Sequence, residues 1–247
     1  MDGEILGARR RRARIRNFRM IRQDAMQSYF ITATGTDIGK TWVACALCRH
    51  WRQAGVRVAA LKPVMSGYDP AVPEASDAGV LLAALDQAVS AEAVARISPW
   101  RFRAPLSPDM AAAREGATIE FARLVDWCRQ AAGAELVLIE GVGGCMVPLD
   151  ASHTVRDWIA ALGVPAVLVT GSYLGSLSHA LTALAALRET AAPVAAIAVN
   201  ESDSSPVPLQ ETAQVLAAHA GDVPVVAIAR SRPDEGIARL ARLLRGA

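Results

Sequence analysis

The chain of 247 residues contains 26 lysines and arginines, and only two of them, Lys40 and Lys62, are lysines. Everywhere else arginine carries the positive charge. An exposed position accepts either residue, but a compact ammonium and a planar guanidinium are not equivalent at a site that must meet an anion as a point charge. Lys40 lies in "TATGTDIGKTW" and Lys62 in "LKPVMSG", each directly after an apolar run. Their placement suits chemistry on an anionic group.

The stretch around Lys40 resembles a phosphate-binding loop, whose usual pattern is Gly, four residues, then Gly-Lys-Ser/Thr. Counting back from Gly39 puts Thr34 where the first glycine belongs, and a glycine arrives one residue late, at Gly35. An apolar run, a Gly-containing loop, Gly-Lys-Thr and a helical pattern still form the context such a cradle needs. Backbone N–H groups from Gly35 through Thr36, Asp37, Ile38, Gly39, Lys40 and Thr41 would hold the β- and γ-phosphates. Lys40 would neutralise transferring charge, and the Thr41 hydroxyl would ligate Mg²⁺. Glu140 ends an apolar run where such folds place an acidic group beside the metal. Asp77, in "EASDAG", suits either a further metal-side ligand or an acid complementing a helix N-terminus.

Further loops after apolar runs add recognition groups. "EGVGG" brings Gly141, Gly143 and Gly144, small enough for backbone to approach a ligand. "LGSLSH" opens a helical pattern with Gly175 and Ser176, whose neighbourhood has N–H groups suited to a carboxylate. His50, His153, His179 and His219 are scattered without a nucleophile partner pattern and read as structural, His179 least clearly. Cys45 and Cys48 form a CxxC, but in an apolar segment with no second pair, so they read as buried small hydrophobes.

These loops need a scaffold that gathers them. Apolar runs at 29–33, 56–61, 136–140, 166–170, 194–199 and 224–229 read as strands covered on both faces. Helical patterns lie near 40–53, 76–85, 119–132, 154–162, 177–190, 209–220 and 234–244. The alternation predicts an α/β fold, a doubly wound and mostly parallel sheet flanked by helices, as one domain over residues 28–247. In such a sheet, ligands collect at the carboxyl ends of the strands, where the loops above lie. The segment 99–108 reads as a surface loop.

Composition narrows the class. At 52% apolar and 5% aromatic residues the chain suits close helix-on-sheet packing and not disorder. No apolar run approaches the ~20 residues of a membrane span, and no apolar core follows the basic start as in a signal peptide. A soluble cytoplasmic protein is expected. The net charge of +2 conceals an asymmetry. Arg9, Arg10, Arg11, Arg12, Arg14, Arg16, Arg19 and Arg22 outweigh Asp2, Glu4 and Asp24, so residues 1–25 are basic and the remainder is acidic. That segment reads as a disordered basic extension, or as sequence ahead of a start at Met20 or Met26, and not as a nucleic-acid or membrane arm.

Taken in order, "YFITATGTDIGKT", "LKPVMSG", "SDAG", "APLSPDMAA", "LVLIEGVGG" and "AVNES" resemble the dethiobiotin synthetase family from about residue 28 to the C-terminus. The resemblance implies an ATP- and Mg²⁺-dependent cyclo-ligase acting on 7,8-diaminononanoate and CO₂. It implies that Lys62 holds the substrate carbamate and Lys40 the γ-phosphate, with Thr41, Asp77 and Glu140 around Mg²⁺. It further implies that Ser66, Asp37 and Gly143 contact substrate and that Asn200 contacts the base. The substrate tail would rest on backbone near Leu174, Gly175 and Ser176 of a partner subunit, making a homodimer. Three departures stand out. Ala33 occupies the first-glycine position of the family's longer loop, so Ala33 and Gly35 are expected to share the turn. Arg230 and Ser231 replace the usual Ile-Pro turn, and Ser178 replaces a larger amide.

Other readings compete. A partitioning or septum-site switch ATPase normally carries a further lysine ahead of GKT, and none occurs between Ser28 and Gly39. A cobyrinate amide synthetase needs a glutaminase domain for which the chain has no room. A non-catalytic nucleotide sensor would follow if Ala33 disabled the loop.

Overall fold

Each central strand sends alternate side chains into two separate apolar layers, which is why its sequence reads as a continuous apolar run. In the computed structural model, which describes residues 26–131 and 133–246, β1 (Gln27–Ala33) turns Phe30 to one layer and Tyr29, Ile31 and Ala33 to the other. In β5 (Leu136–Glu140), Val137 and Ile139 face the first layer, and Leu136 and Leu138 the second. The same alternation runs through β6 (Ala166–Gly171) and β7 (Val194–Asn200). With β2 (Val58–Leu61) and β8 (Val225–Ile228) they form a six-stranded sheet ordered β2-β5-β1-β6-β7-β8. Every pairing in it is parallel. The basic extension expected over residues 1–25 lies outside the described residues.

The helices divide between the two faces. Those packed on the Ile31 side are α1 (Lys40–Gln53), α2 (Asp77–Ala84) and α9 (Pro233–Arg245). The Phe30 side is covered by α4 (Pro108–Arg114), α5 (Phe121–Arg129), α6 (Val155–Leu162), α7 (Ser176–Arg188) and α8 (Leu209–His219). Local signals set several boundaries. Ser76 caps α2 by accepting from the Gly79 N–H (3.0 Å). Thr154 and Asp157 form a capping box at α6. The four cysteines are free and buried, and burial pushes the Cys45 thiol up to about 12, as expected for packing residues.

One expectation is corrected. Residues 99–108 are not merely a surface loop: β4 (Trp100–Arg101) pairs in parallel with β3 (Val64–Met65), and Phe102 is buried. The two strands of this small sheet lie on either side of α3 (Ala91–Ile97) in the chain, and their pairing ties the segment after Lys62 to the segment that enters α4. It builds one wall of the cleft described below. No helix among the described residues is long and apolar enough to cross a membrane.

Candidate active site

The carboxyl ends of β1, β2 and β5 are adjacent, and their loops meet at one rim. β1 is flanked by β5 on one side and β6 on the other, so the chain's direction of travel across the sheet reverses there. Such a switch point leaves a crevice between diverging loops. A cleft of about 870 Å³ opens at it, lined in part by Thr36, Asp37, Gly39, Lys40, Thr41, Lys62, Ser66, Asp77 and Gly143.

The loop after β1 does not turn where the sequence suggested. Ala33 is the last residue of the strand, paired with Val169, and its carbonyl accepts from the Cys145 N–H (2.9 Å). Neither Ala33 nor Gly35 has positive φ; the left-handed residues are Asp37 (φ 57) and Gly39 (φ 96). The strand therefore continues through the position where a glycine was expected, and the reversal falls closer to Lys40. At Gly39 a side chain would also overlap Asn200 Nδ2, which donates to the Ile38 carbonyl (3.2 Å). Glycine is needed there for both conformation and space. Lys40 Nζ reaches back to the Gly35 carbonyl (3.0 Å), closing the loop around its own ammonium. Burial, and then repulsion from Lys62, lowers the Lys40 pKa to about 8.

Lys62 occupies the opposite wall. Its Nζ donates to Glu140 Oε1 (2.7 Å) and the Gly141 carbonyl (2.8 Å) and forms an ion pair with Asp77 Oδ2 (2.9 Å). Glu140 Oε1 also accepts from the Thr41 hydroxyl (2.6 Å), which joins the phosphate loop to the β5 end. Glu140 is 1% exposed, and its Oε2 has no hydrogen-bond partner among the described residues. Burial alone would push Lys62 down, but the Glu140 and Asp77 carboxylates outweigh it and hold the ammonium above its usual range. Burial pushes Glu140 up against the pull of Lys62, while Lys62 and Thr41 overcome burial to hold Asp77 low. Asp77 is both the first residue of α2 and a member of the charged cluster.

Residues 27–234 match the family model described as an AAA domain. The ATP-dependent dethiobiotin synthetase of Acidiphilium cryptum (strain JF-5) is 52% identical over 212 residues, covering 85% of this chain and 95% of that protein. The namesake from Methylobacterium nodulans is 48% identical over 221 residues, covering 86% and 98%. The chain belongs to the dethiobiotin synthetase family. A ParA family ATPase from Chlorobium tepidum, 14% identical, aligns over 90% of this chain and 93% of its own with a TM-score of 0.50. That likeness concerns the fold alone.

A second cleft, of about 580 Å³, shares Asp37, Gly39 and Trp42 with the first and adds Ile38, Tyr173, Asn200 and Arg230. Asn200, which the family resemblance assigned to the base, and Arg230, which stands in place of the family's Ile-Pro turn, therefore come together on the far side of the same loop. The Arg230 N–H donates to Glu201 Oε2 (2.7 Å), which fixes the turn after β8 in the absence of the family's Ile-Pro. Leu174, Gly175 and Ser176 line neither cleft. Leu174 is 89% exposed, and the Ser176 N–H is already engaged by the Tyr173 carbonyl (2.9 Å), while Ser176 Oγ is buried without a partner. His179 bonds Tyr173 Oη through Nδ1 (2.8 Å).

Sequence reasoning missed several lining groups: Trp42, Met65 and residues 105–108 in the first cleft, and Tyr173 and residues 201–203 in the second. Trp42 was the most accessible to inference. It is a large apolar residue immediately after GKT, and it remains 40% exposed.

Proposed function

We propose that the chain catalyses the ATP-dependent closure of the ureido ring of dethiobiotin from 7,8-diaminononanoate and CO₂, releasing ADP and phosphate. The observation that carries this reading is the convergence of the only two lysines on one cleft, from separate strand ends, beside two carboxylates. A simple nucleotide switch needs the first lysine; a reaction joining a second anion to the γ-phosphate gives work to the other.

In this reading the loop N–H groups and Lys40 hold the phosphates, and Lys62 holds the carbamate formed when a substrate amine captures CO₂. A carbamate oxygen attacks the γ-phosphate and ADP departs; the second amine then attacks the carbonyl carbon and expels phosphate. Two ammonium groups fixed beforehand around the transferring charge stabilise the first step without reorganisation. Ser66 Oγ, buried without a partner on the cleft wall, is available to the substrate, and Asp37 and Gly143 stand on the same lining. Asn200 donates its amide hydrogen to Ile38, leaving its carbonyl oxygen to accept from a base amino group, which adenine offers.

Mg²⁺ fits the residues present. Glu140 Oε2 is a buried carboxylate oxygen without a partner, and Thr41 and Asp77 stand with it as hard oxygen ligands. Bound with ATP, the ion would neutralise phosphate charge during transfer. The enzyme is further proposed to act in the cytoplasm as a homodimer, with Leu174, Gly175 and Ser176 of each protomer receiving the partner's substrate tail. The exposed Leu174 side chain is the apolar surface that such contact would cover.

The test is phosphate release and dethiobiotin formation by purified protein with ATP, Mg²⁺, bicarbonate and diaminononanoate. Release above the blank that depends on the diamine is expected. ATP hydrolysis indifferent to the diamine would favour a switch ATPase, and none at all a sensor.

A further inference from the structure

Lys62 is committed in a way that conflicts with its task. An ammonium has three hydrogens to donate, and three oxygens surround Lys62 Nζ: Glu140 Oε1 at 2.7 Å and Gly141 O at 2.8 Å accept from it, and Asp77 Oδ2 pairs with it at 2.9 Å. Its side chain is 2% exposed. A carbamate can be met only if at least one of these contacts is given up. Two of the three acceptors are the carboxylates assigned above to the metal side.

We propose that Lys62 is a tethered stand-in cation, which neutralises Asp77 and Glu140 in the unloaded site and turns to the substrate when a divalent cation takes over those carboxylates. The inference rests on the metal-side reading of these two residues and adds an order of events to it. The cation comes first, and Lys62 becomes available to the carbamate second.

Charge and geometry both support this order. Glu140 is buried and Asp77 half-exposed, Lys40 is a second ammonium nearby, and among the described residues Glu140 Oε2 has no hydrogen-bond partner. A buried carboxylate oxygen without a contact is costly in surroundings poor in water. A divalent ion supplies Oε2 with the cation contact it lacks, which Lys62, held at Glu140 Oε1, Gly141 O and Asp77 Oδ2, does not. Gly141 O is the acceptor that the exchange leaves behind. Its peptide is fixed, since the Gly141 N–H donates to the Ile31 carbonyl (2.9 Å) and an added Cβ would lie 2.7 Å from Phe30 Cε1. Lys62 can therefore pivot about a stationary carbonyl, with only its own side chain moving.

Having two lysines makes the exchange directly observable. In protein labelled with ¹⁵N-lysine, only Lys40 and Lys62 contribute side-chain ammonium signals. ADP alone should leave the Lys62 signal in place, whereas Mg²⁺ with ADP should shift it and speed its hydrogen exchange by about tenfold or more as a buried contact opens. A Lys62 signal indifferent to Mg²⁺ overturns the proposal. Independently, Lys62→Met should bind Mn²⁺ alone about tenfold more tightly than the parent, read from the free Mn²⁺ resonance, because no tethered charge competes. Equal or weaker binding by a folded Lys62→Met protein also overturns it, and the labelling arm needs no variant. Absence of diamine-dependent turnover would instead defeat the proposed reaction, which neither of these readouts measures.

Discussion

Lys40 and Lys62 are both nearly enclosed, 7% and 2% exposed, yet burial leads to opposite results in the two regions that hold them. Lys40 belongs to a loop and a helix start, where its nearest partner is the neutral Gly35 carbonyl; its pKa falls to about 8. Lys62 belongs to a strand end, where β5 and α2 each deliver a carboxylate, and its pKa is held above the usual range. The same desolvation acts on both, so the difference lies in what the neighbouring elements bring. The loop gives Lys40 a carbonyl in direct contact and only more distant carboxylates, Asp37 among them, which do not offset burial and the repulsion from Lys62. β5 and α2 supply Lys62 with two carboxylates in direct contact. On the proposed function, the first region would receive the nucleotide's phosphates and the second its metal.

The sharpest way to break this contrast is to change the shape of the Lys62 charge without its sign. Lys62→Arg is expected to lower dethiobiotin formation by about 10²- to 10³-fold, the scale of losing one fixed group that stabilises transition-state charge. ATP affinity, measured by calorimetry, should change less than about threefold, because the phosphate loop stands on Lys40 and its own N–H groups. Equal losses in turnover and affinity would show that the two regions do not divide the work.

A smaller effect is expected from the loop itself. Gly39→Ala forces a side chain into left-handed backbone (φ 96) and against Asn200, so nucleotide affinity should fall about tenfold or more and stability by about 1–2 kcal/mol. At Gly35, without positive φ, an added Cβ meets nothing nearer than Ile38 Cγ1 at 3.8 Å. Gly35→Ala should stay within about threefold of the parent in affinity. If Gly35→Ala proved the more damaging, the turn would lie where the sequence pattern placed it and not at Asp37 and Gly39. Nucleotide titrations and thermal melts of both variants decide the matter.

What the sequence could reveal follows from how strongly each element is written into local pattern. All six strands of the main sheet were legible, because doubly covered strands must be continuously apolar, and α1 was bounded by Gly39 and the end of its apolar face. β3 and β4, two residues each, and the seven-residue α3 and α4 were not, since pieces so short hold no full period. With them went the cleft wall at residues 105–108. Lys62, Asp77 and Glu140 were each singled out as lying after apolar runs or at a helix start. Their mutual pairing was hidden, because it depends on β2 and β5 being neighbours in the sheet. The Asp37 turn was hidden too: aspartate tolerates the left-handed region without announcing it as glycine does.

The gentlest probe is pH, and it acts on the Lys40 side of the contrast. In the unloaded protein the folded-state Lys40 pKa of about 8 lies below its unfolded value of 10.5, so the folded state releases this proton first. Its burial is therefore a cost at neutral pH, and that cost fades as pH rises from about 8 toward 10.5. Nucleotide phosphates bring the missing anion and raise the pKa again, so binding must take up a proton above about pH 8. ATP affinity should then weaken by about tenfold between pH 7 and 9, with calorimetric enthalpies that depend on the ionisation heat of the buffer. Lys62 should contribute nothing to this slope, since its pKa is held above the range scanned, and Asp77 is held below it. Lys40→Met should bind nucleotide poorly at every pH but without the proton uptake. Uptake that persisted in Lys40→Met would place the titrating group elsewhere and remove the claimed difference between the two lysines.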